Sequence, residues 1–354
     1  MFYTLEKKNF TALGLMSGTS LDGLDICCAT FNVENHSIFY IHKTATIPYT
    51  QLWKSKLASA HLLSGLELMQ LNHDFGVYCG NQINAFLETI TCEIDFISSH
   101  GHTVFHSPST GFTTQIGNGA AIYAQTGIKT IADFRSLDVA LGGQGAPLVP
   151  IGDLLLFKNY QACLNLGGIS NISIKSDNQI IAQDLGYCNL LLNYLTKRHY
   201  DLEYDKDGKL GRSGKIEPIL LNQFLEFTNN KGGKSLARED FETFLGFIND
   251  TYSKENTLRT SYEYIAVYLS NNLNINKVKE VLASGGGAHN TFLIELTQSK
   301  TETTIVLPNS EIIDFKEALI FAFLGLLRIL NKENCLNSVT QASKNSIGGA
   351  IWGN

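Results

Sequence analysis

A mixed α/β chain built from two related domains is the fold class that the sequence predicts, and three observations predict it. Short apolar runs end repeatedly in glycine- and serine-rich turns, and helical stripes lie between them. A strand, glycine turn, strand pattern occurs near residue 18 and again about 150 residues later. This repeat of pattern implies a duplicated α/β unit with a cleft between the copies.

The 354 residues suffice for about two domains at roughly 150 residues each. With 44% hydrophobic and 17% charged residues, the chain can bury a large core. Net charge is −6 and no run of Lys or Arg occurs, which argues against a nucleic-acid partner. The opening MFYTLEKKNF lacks the apolar core of a signal peptide, and the longest apolar run, residues 318–327, is too short to span a bilayer. Seven scattered cysteines, an odd number, read as reduced thiols. A cytoplasmic protein with no membrane partner is expected.

The first turn is Gly14-Leu15-Met16-Ser17-Gly18-Thr19-Ser20-Leu21-Asp22-Gly23-Leu24-Asp25, set between apolar runs. Its hydroxyls and clustered backbone N–H groups suit a polyphosphate, and Asp22 and Asp25 suit a hydrated magnesium; an ordinary Gly/Ser/Asp hairpin has the same composition. A strand is expected over 36–47, then a helix over 66–88 striped by Leu68, Leu71, Phe75, Tyr78, Cys79, Gln82 and Phe86. A short strand at 94–97 ends in Ser98-Ser99-His100-Gly101-His102. A turn and short helix fill 116–129, and a strand at 129–132 runs into Asp133-Phe134-Arg135. A glycine-rich loop at 142–147 leads to an apolar helix near 148–157.

The opening theme returns at 162–174 with Gly167 and Gly168 in the turn, and a strand at 179–183 delivers Asp184 before a helix near 189. Residues 200–234 read as a polar surface excursion that helps cover a substrate, and helices follow between 240 and 273. A strand at 279–283 ends in Ser284-Gly285-Gly286-Gly287-Ala288-His289-Asn290, where glycines let the backbone approach a flat or phosphorylated ligand. Glu317 opens an apolar helix to about 330, and a short glycine-rich tail spans 338–354.

Two further features bear on chemistry. In His100-x-His102-x-x-x-His106 the first two rings share a strand face and suit a metal, a sugar contact or hydrogen-bonded packing. A metal needs more ligands, and only His199 and His289 lie downstream, neither at a clear strand end, which favours the other two roles. Asp184 at a strand end suits a general base or a helix cap.

GLMSGTSLDGLD, SHGHTVFHSP, QIGNGAAIYAQTGI, ADFRSLDVALGGQGAPLVP, LNLGGISNIS, YDKDGKLGRSGKI and SGGGAHN together resemble the anhydro-N-acetylmuramic acid kinases, in that family's order, from about residue 12 to the C-terminus. The family belongs to the sugar kinase, Hsp70 and actin superfamily, so the resemblance implies two RNase-H-like α/β domains flanking an ATP cleft. Their expected bounds are 1–132 plus about 338–354, and 133–337. It also implies ATP and magnesium, a homodimer, and phosphorylation of 1,6-anhydro-N-acetylmuramic acid on O6 while water opens the anhydro bridge.

Carried over by motif, Gly18, Thr19, Ser20, Leu21, Asp22, Gly23, Leu24 and Asp25 would hold the ATP phosphates, with Asp22 toward magnesium directly or through water. Gly167 and Gly168 would form a second phosphate hairpin, and Gly285, Gly286 and Gly287 would approach the nucleotide. Asp184 takes the family's base position, Arg135 and Glu317 would position sugar or water, and His100, His102, Asp133 and Gln144 would meet the substrate.

The sequence departs from the family pattern in three places. Asp-Thr-Gly-Pro-Gly-Asn becomes Asp184-Leu185-Gly186-Tyr187-Cys188-Asn189, which loses a rigid turn and adds bulk at Tyr187. Lys-Ser-Thr-Gly-Arg-Glu becomes Lys234-Ser235-Leu236-Ala237-Arg238-Glu239, and Thr-Gly-Ala becomes Thr340-Gln341-Ala342.

Overall fold

The computed structural model describes residues 7–176, 179–231, 238–249 and 251–353. The altered motif at 234–237 lies outside the described residues. The chain forms two compact units, 1–158 with 315–354, and 159–314.

The first unit opens with β1 (Asn9–Ser17), β2 (Gly23–Asn32) and β3 (Phe39–Pro48), an antiparallel meander whose turn holds residues 18–22. Helices α1 (Gln51–Ala58) and α2 (Gly65–Leu87) follow. A capping box starts α2: Ser64 Oγ accepts from Glu67 N, and Glu67 accepts from Ser64 N. Its buried stripe of Leu71, Phe75, Cys79, Ile83 and Phe86 packs with Leu13, Leu15, Ile26 and Ile97 from the sheet. Then come β4 (Phe96–Ser107), β5 (Phe112–Ile116), α3 (Gly119–Thr126), β6 (Thr130–Ala132), α4 (Ser136–Ala140) and α5 (Val149–Leu156). The expected strand at 94–97 is longer than foreseen, because pairing with β5 carries β4 through the histidines to Ser107.

The second unit repeats the plan. It holds β7 (Ala162–Leu166), β8 (Ile169–Ser176) and β9 (Gln179–Tyr187), then α6 (Asn189–Tyr200), α7 (Pro218–Lys231), α8 (Arg238–Leu245) and α9 (Lys254–Ile275). It closes with β10 (Glu280–Ser284), α10 (Thr291–Gln298) and β11 (Thr304–Val306). Part of the segment read as a polar excursion is α7, whose Phe224 is buried and stacks on Phe244 with ring centroids 4.5 Å apart. The buried face of α9, including Tyr262, Tyr264, Ile265 and Leu269, completes this core.

Helix α11 (Ser310–Ile329) breaks helical geometry at Phe315, where the chain passes back into the first unit. Glu317 therefore follows a break inside a helix rather than opening one. Residues 318–327 are all buried, which explains their apolar run. Gly14 is needed here: a Cβ on it would lie 1.9 Å from the Ala318 carbonyl oxygen and 2.8 Å from the Ala322 nitrogen. Short α12 (Asn337–Thr340) and β12 (Ala350–Trp352) finish the chain, β12 pairing antiparallel with β6.

The strand order is β12-β6-β4-β1-β2-β3 in one sheet, with β5 on β4, and β11-β10-β7-β8-β9 in the other. Leaving out β5 and β12, both read 3-2-1-4-5 in order of appearance, with the first three strands antiparallel and the last two parallel to the first. This is the duplicated RNase-H-like α/β plan.

The unit bounds differ from those expected. Segments 133–158 and 315–337 pack in the first unit because buried groups tie them there. Arg135 Nε donates to His100 Nε2 at 3.0 Å, Ser98 Oγ donates to the Phe321 carbonyl, and Asp138 accepts from Thr340 Oγ1 at 2.7 Å. Among the described residues no helix is long and apolar enough to cross a membrane.

Candidate active site

The β1–β2 turn presents Gly18, Thr19, Ser20, Leu21 and Asp22, with Thr19, Ser20 and Asp22 exposed. Leu21 takes a left-handed conformation at φ 61°, and its N–H bonds back to the Gly18 carbonyl at 3.3 Å. Gly23, Leu24 and Asp25, grouped with this turn in the sequence, already belong to β2 because they pair with Pro48, Ile47 and Thr46. Asp25 Oδ1 accepts from Thr46 Oγ1.

A register shift between β1 and β4 sets Ser17 opposite His102. Ser17 Oγ is 3.0 Å from His102 Nδ1 and accepts from the Tyr49 hydroxyl at 2.7 Å. His100 Nε2 accepts from Arg135 Nε at 3.0 Å. Burial drives the His100 pKa well below its ordinary value, with the Arg135 charge adding to the effect, and lowers that of His102 to about 4. Both rings are neutral near pH 7. Among the described residues no group of His, Cys, Asp and Glu is placed to hold a metal; His100 and His102 are held by hydrogen bonds to Arg135 and Ser17.

Arg135 follows β6, and its second donor reaches the Gly145 carbonyl at 2.6 Å. Buried Asp138 accepts from Gly145 N at 2.7 Å, and Gln144 N donates to the Thr340 carbonyl at 2.7 Å, so the 142–147 loop is held from two sides. The Gln144 side chain is exposed. Asp133 is exposed, left-handed at φ 61°, and accepts from Ser136 N at 3.2 Å. The Glu317 side chain opens to solvent, yet the protein crowded round it weakens hydration of its charge and raises its pKa, while Arg135 pulls it down and Asp25 pushes it up.

In the second unit Asp184 stands inside β9 rather than at its end. Asn171 pairs with Asp184 and Ser170 with Gly186, so Leu185 is an extra residue and the carboxylate sits at a bulge, where a strand re-aims its side chains. Cys188, whose side chain makes no capping bond, holds the N-cap position of α6, so that position is not Asp184's. Tyr187 adds no bulk at the surface: it is 1% exposed, with its ring 4.9 Å from Phe241 and 5.0 Å from Phe244. The altered loop spends its tyrosine on the core.

Gly167 and Gly168 join β7 to β8, and their carbonyls accept from the N–H groups of Cys188, Asn189 and Leu190 at 2.9–3.1 Å. This couples the turn to the start of α6. Gly285 stands at φ 82° and ψ 161°, a backbone region essentially reserved to glycine, and Gly286 and Gly287 begin a short 3₁₀ turn.

Beside that turn lies a pocket of about 410 Å³ lined by Asn189, Asn193, Tyr204, Asp205, Gly286 and Gly287, among others. One buried network holds its walls. Asp205 accepts from Gly211 N at 2.9 Å and from Tyr262 Oη at 3.1 Å, and Asn290 Nδ2 donates to Tyr262 Oη at 2.7 Å. Sequence reasoning placed neither Tyr49 nor Tyr262, which are lone aromatics without a local signal. Asp205 and Asn290 lay inside quoted motifs, YDKDG and GGGAHN, and could have been found there.

A family model described as anhydro-N-acetylmuramic acid kinase matches residues 10–354. The anhydro-N-acetylmuramic acid kinase of Mannheimia succiniciproducens is 34% identical, over 96% of this chain and 98% of its own length. That of Haemophilus influenzae is 34% identical, over 96% and 97%. Among solved structures, the activator of the 2-hydroxyisocaproyl-CoA dehydratase from Clostridium difficile with bound ADPNP is distantly similar, with a TM-score of 0.44 and 12% identity over 91% of this chain and 97% of that one. The family match spans nearly the whole sequence and the relatives match end to end: this chain belongs to the anhydro-N-acetylmuramic acid kinase family.

Proposed function

We propose that this kinase uses ATP to convert 1,6-anhydro-N-acetylmuramic acid and water into N-acetylmuramate 6-phosphate, in the recycling of cell-wall peptidoglycan. The observation that supports the chemistry is the bulge at Asp184, on the strand paired with β8 just past the β7–β8 glycine turn, in a family of phosphotransferases. Asp184 removes a proton from water as the water attacks the anomeric carbon. The C1–O6 bond breaks, and O6 becomes the nucleophile toward the γ-phosphate, so one base drives both bond changes. Arg135 and Glu317 position sugar or water, and His100, His102, Asp133 and Gln144 serve the sugar side.

The turns at 18–22, 167–168 and 285–287 are each assigned here to nucleotide contact, on the family's motifs. At Gly168 and Gly286 the nearest neighbour of an added Cβ would be 3.7 Å away, so the chain leaves room there for a ligand to approach the backbone. Asp22, exposed in the first turn, is the group to hold magnesium, which when bound neutralises charge on the phosphates. The same reading makes the protein a cytoplasmic homodimer.

The test is ADP release with ATP, magnesium and the anhydro sugar, with product mass. A product heavier by one phosphate and one water is expected. Phosphate without water would make it an ordinary hydroxyl kinase, and binding without turnover would point to another sugar or a sensor. Asp184→Asn should cost about 10²–10⁴-fold in kcat with ATP binding intact. A variant within threefold of the parent would remove Asp184 from the mechanism.

A further inference from the structure

Asp138 is 1% exposed, and both of its carboxylate oxygens are in use. Oδ1 accepts from Thr340 Oγ1 at 2.7 Å and from Cys335 Sγ at 3.1 Å, while Oδ2 accepts from Gly145 N at 2.7 Å. The glycine-rich loop is shaped round this carboxylate. A Cβ at Gly143 would lie 2.2 Å from Asp138 Oδ2, and Gly143 N donates to the Asp138 carbonyl at 2.9 Å. Gly145 is left-handed at φ 65°, a conformation glycine adopts without strain. Both of its backbone polar groups are held. Asp138 takes the N–H, and the carbonyl accepts from Arg135 Nη1 at 2.6 Å. Arg135 Nε donates to His100 Nε2 at 3.0 Å, so two bonds fix the plane of the guanidinium.

We propose that Asp138 is a positioning residue for the reaction: by gripping the Gly145 N–H it sets the Gly145 carbonyl against Arg135 Nη1, and so aims the guanidinium. The kinetic consequence rests on the sugar-kinase reading above, in which Arg135 positions sugar or water, whereas the grip on Arg135 rests on geometry alone. The two oxygens divide the work. Oδ1 ties the segment 138–145 to the C-terminal part of the chain, and Oδ2 orients the loop that holds Arg135.

The test compares Asp138→Ala, Asp138→Asn and Thr340→Val in the full chain, by ADP release with ATP, magnesium and the anhydro sugar, beside urea denaturation. Asp138→Ala frees the Gly145 N–H and should lower kcat/KM for the sugar about tenfold, with the ATP KM within twofold. Asp138→Asn keeps one oxygen for Gly145 N and turns its amide to the Thr340 hydroxyl, so it should return to within about threefold of the parent. Thr340→Val removes a donor from Oδ1 alone; its urea midpoint should fall while its sugar kinetics stay within about twofold of the parent. Parent-like sugar kinetics in Asp138→Ala, an Asp138→Asn no better than Asp138→Ala, or an equal kinetic loss in Thr340→Val would overturn the proposal. A second readout needs no turnover. The Arg135 Nε–H, followed by ¹⁵N-arginine NMR and assigned by its loss in Arg135→Lys, should exchange with solvent about tenfold faster in Asp138→Ala and at the parent's rate in Asp138→Asn. Unchanged exchange in Asp138→Ala overturns the grip on Arg135 whatever the substrate proves to be. A parent that does not turn over the anhydro sugar counts against the functional reading instead, and the exchange rates still decide the grip. If Asp138→Ala fails to fold, Gly143→Ala places a methyl against the same oxygen and should show both effects.

Discussion

Replacing Gly286 by alanine separates what the protein needs at its third glycine turn from what a ligand needs. A methyl there would have Asn189 Nδ2 as its nearest neighbour, at 3.7 Å, and Gly286 is not among the residues with positive φ. The folded chain accepts it, and stability should stay within about 0.5 kcal/mol of the parent or rise slightly through the less flexible unfolded chain. If nucleotide approaches the backbone here, the same methyl enters ligand space. Overpacking of about 1–3 kcal/mol then weakens binding about 5- to 150-fold. Gly285 is the control. Its φ is 82°, and an added Cβ would lie 2.5 Å from Asn165 Oδ1. Alanine there should cost about 1–3 kcal/mol for a backbone region that L side chains rarely enter and about 1–3 kcal/mol for the clash, as lost stability. ADP release across a range of ATP concentrations, beside urea denaturation of each variant, reads both effects. A Gly286→Ala enzyme with the parent's ATP KM would refute the placement of nucleotide at residues 285–287.

Two further outcomes follow from other parts of the first unit. His102 has its pKa lowered from 6.5 to about 4, so between those values the unfolded chain binds a proton that the folded chain refuses. Stability should therefore rise with pH across that window, by about 3 kcal/mol in all from this ring, and acid titration of His102→Gln should show a shallower slope; an identical slope would contradict the burial argument. Gln341 stands left-handed at φ 64° where the family pattern has glycine, so Gln341→Gly should gain about 1 kcal/mol in denaturant unfolding, and a loss would mean that the glutamine side chain contributes more than its backbone strain costs.

Much of the site's neighbourhood was legible because it is local. The β1–β2 and β7–β8 hairpins, the α2 stripe and the strand before Gly285 each follow from apolar spacing and glycine placement within a few residues. Their recurrence correctly announced a duplicated domain. Boundaries were less legible. Strand β4 runs past the histidines only because β5 pairs with it, and α11 starts before Glu317 because helical propensity at 310–316 needs no apolar run.

The sequence by itself determined the fold class, the family and the order of the motifs, since those depend on residue type and spacing. Tertiary structure decided what each polar group is. Ser17 meets His102 across 85 positions and Tyr49 across 32, while His100 meets Arg135 across 35. It also decided that Tyr187 fills a core and that Asp184 stands at a bulge. A proton's place on a ring, the solvation of a carboxylate and the direction of a side chain are set by neighbours within a few ångströms, and those neighbours come from distant parts of the chain.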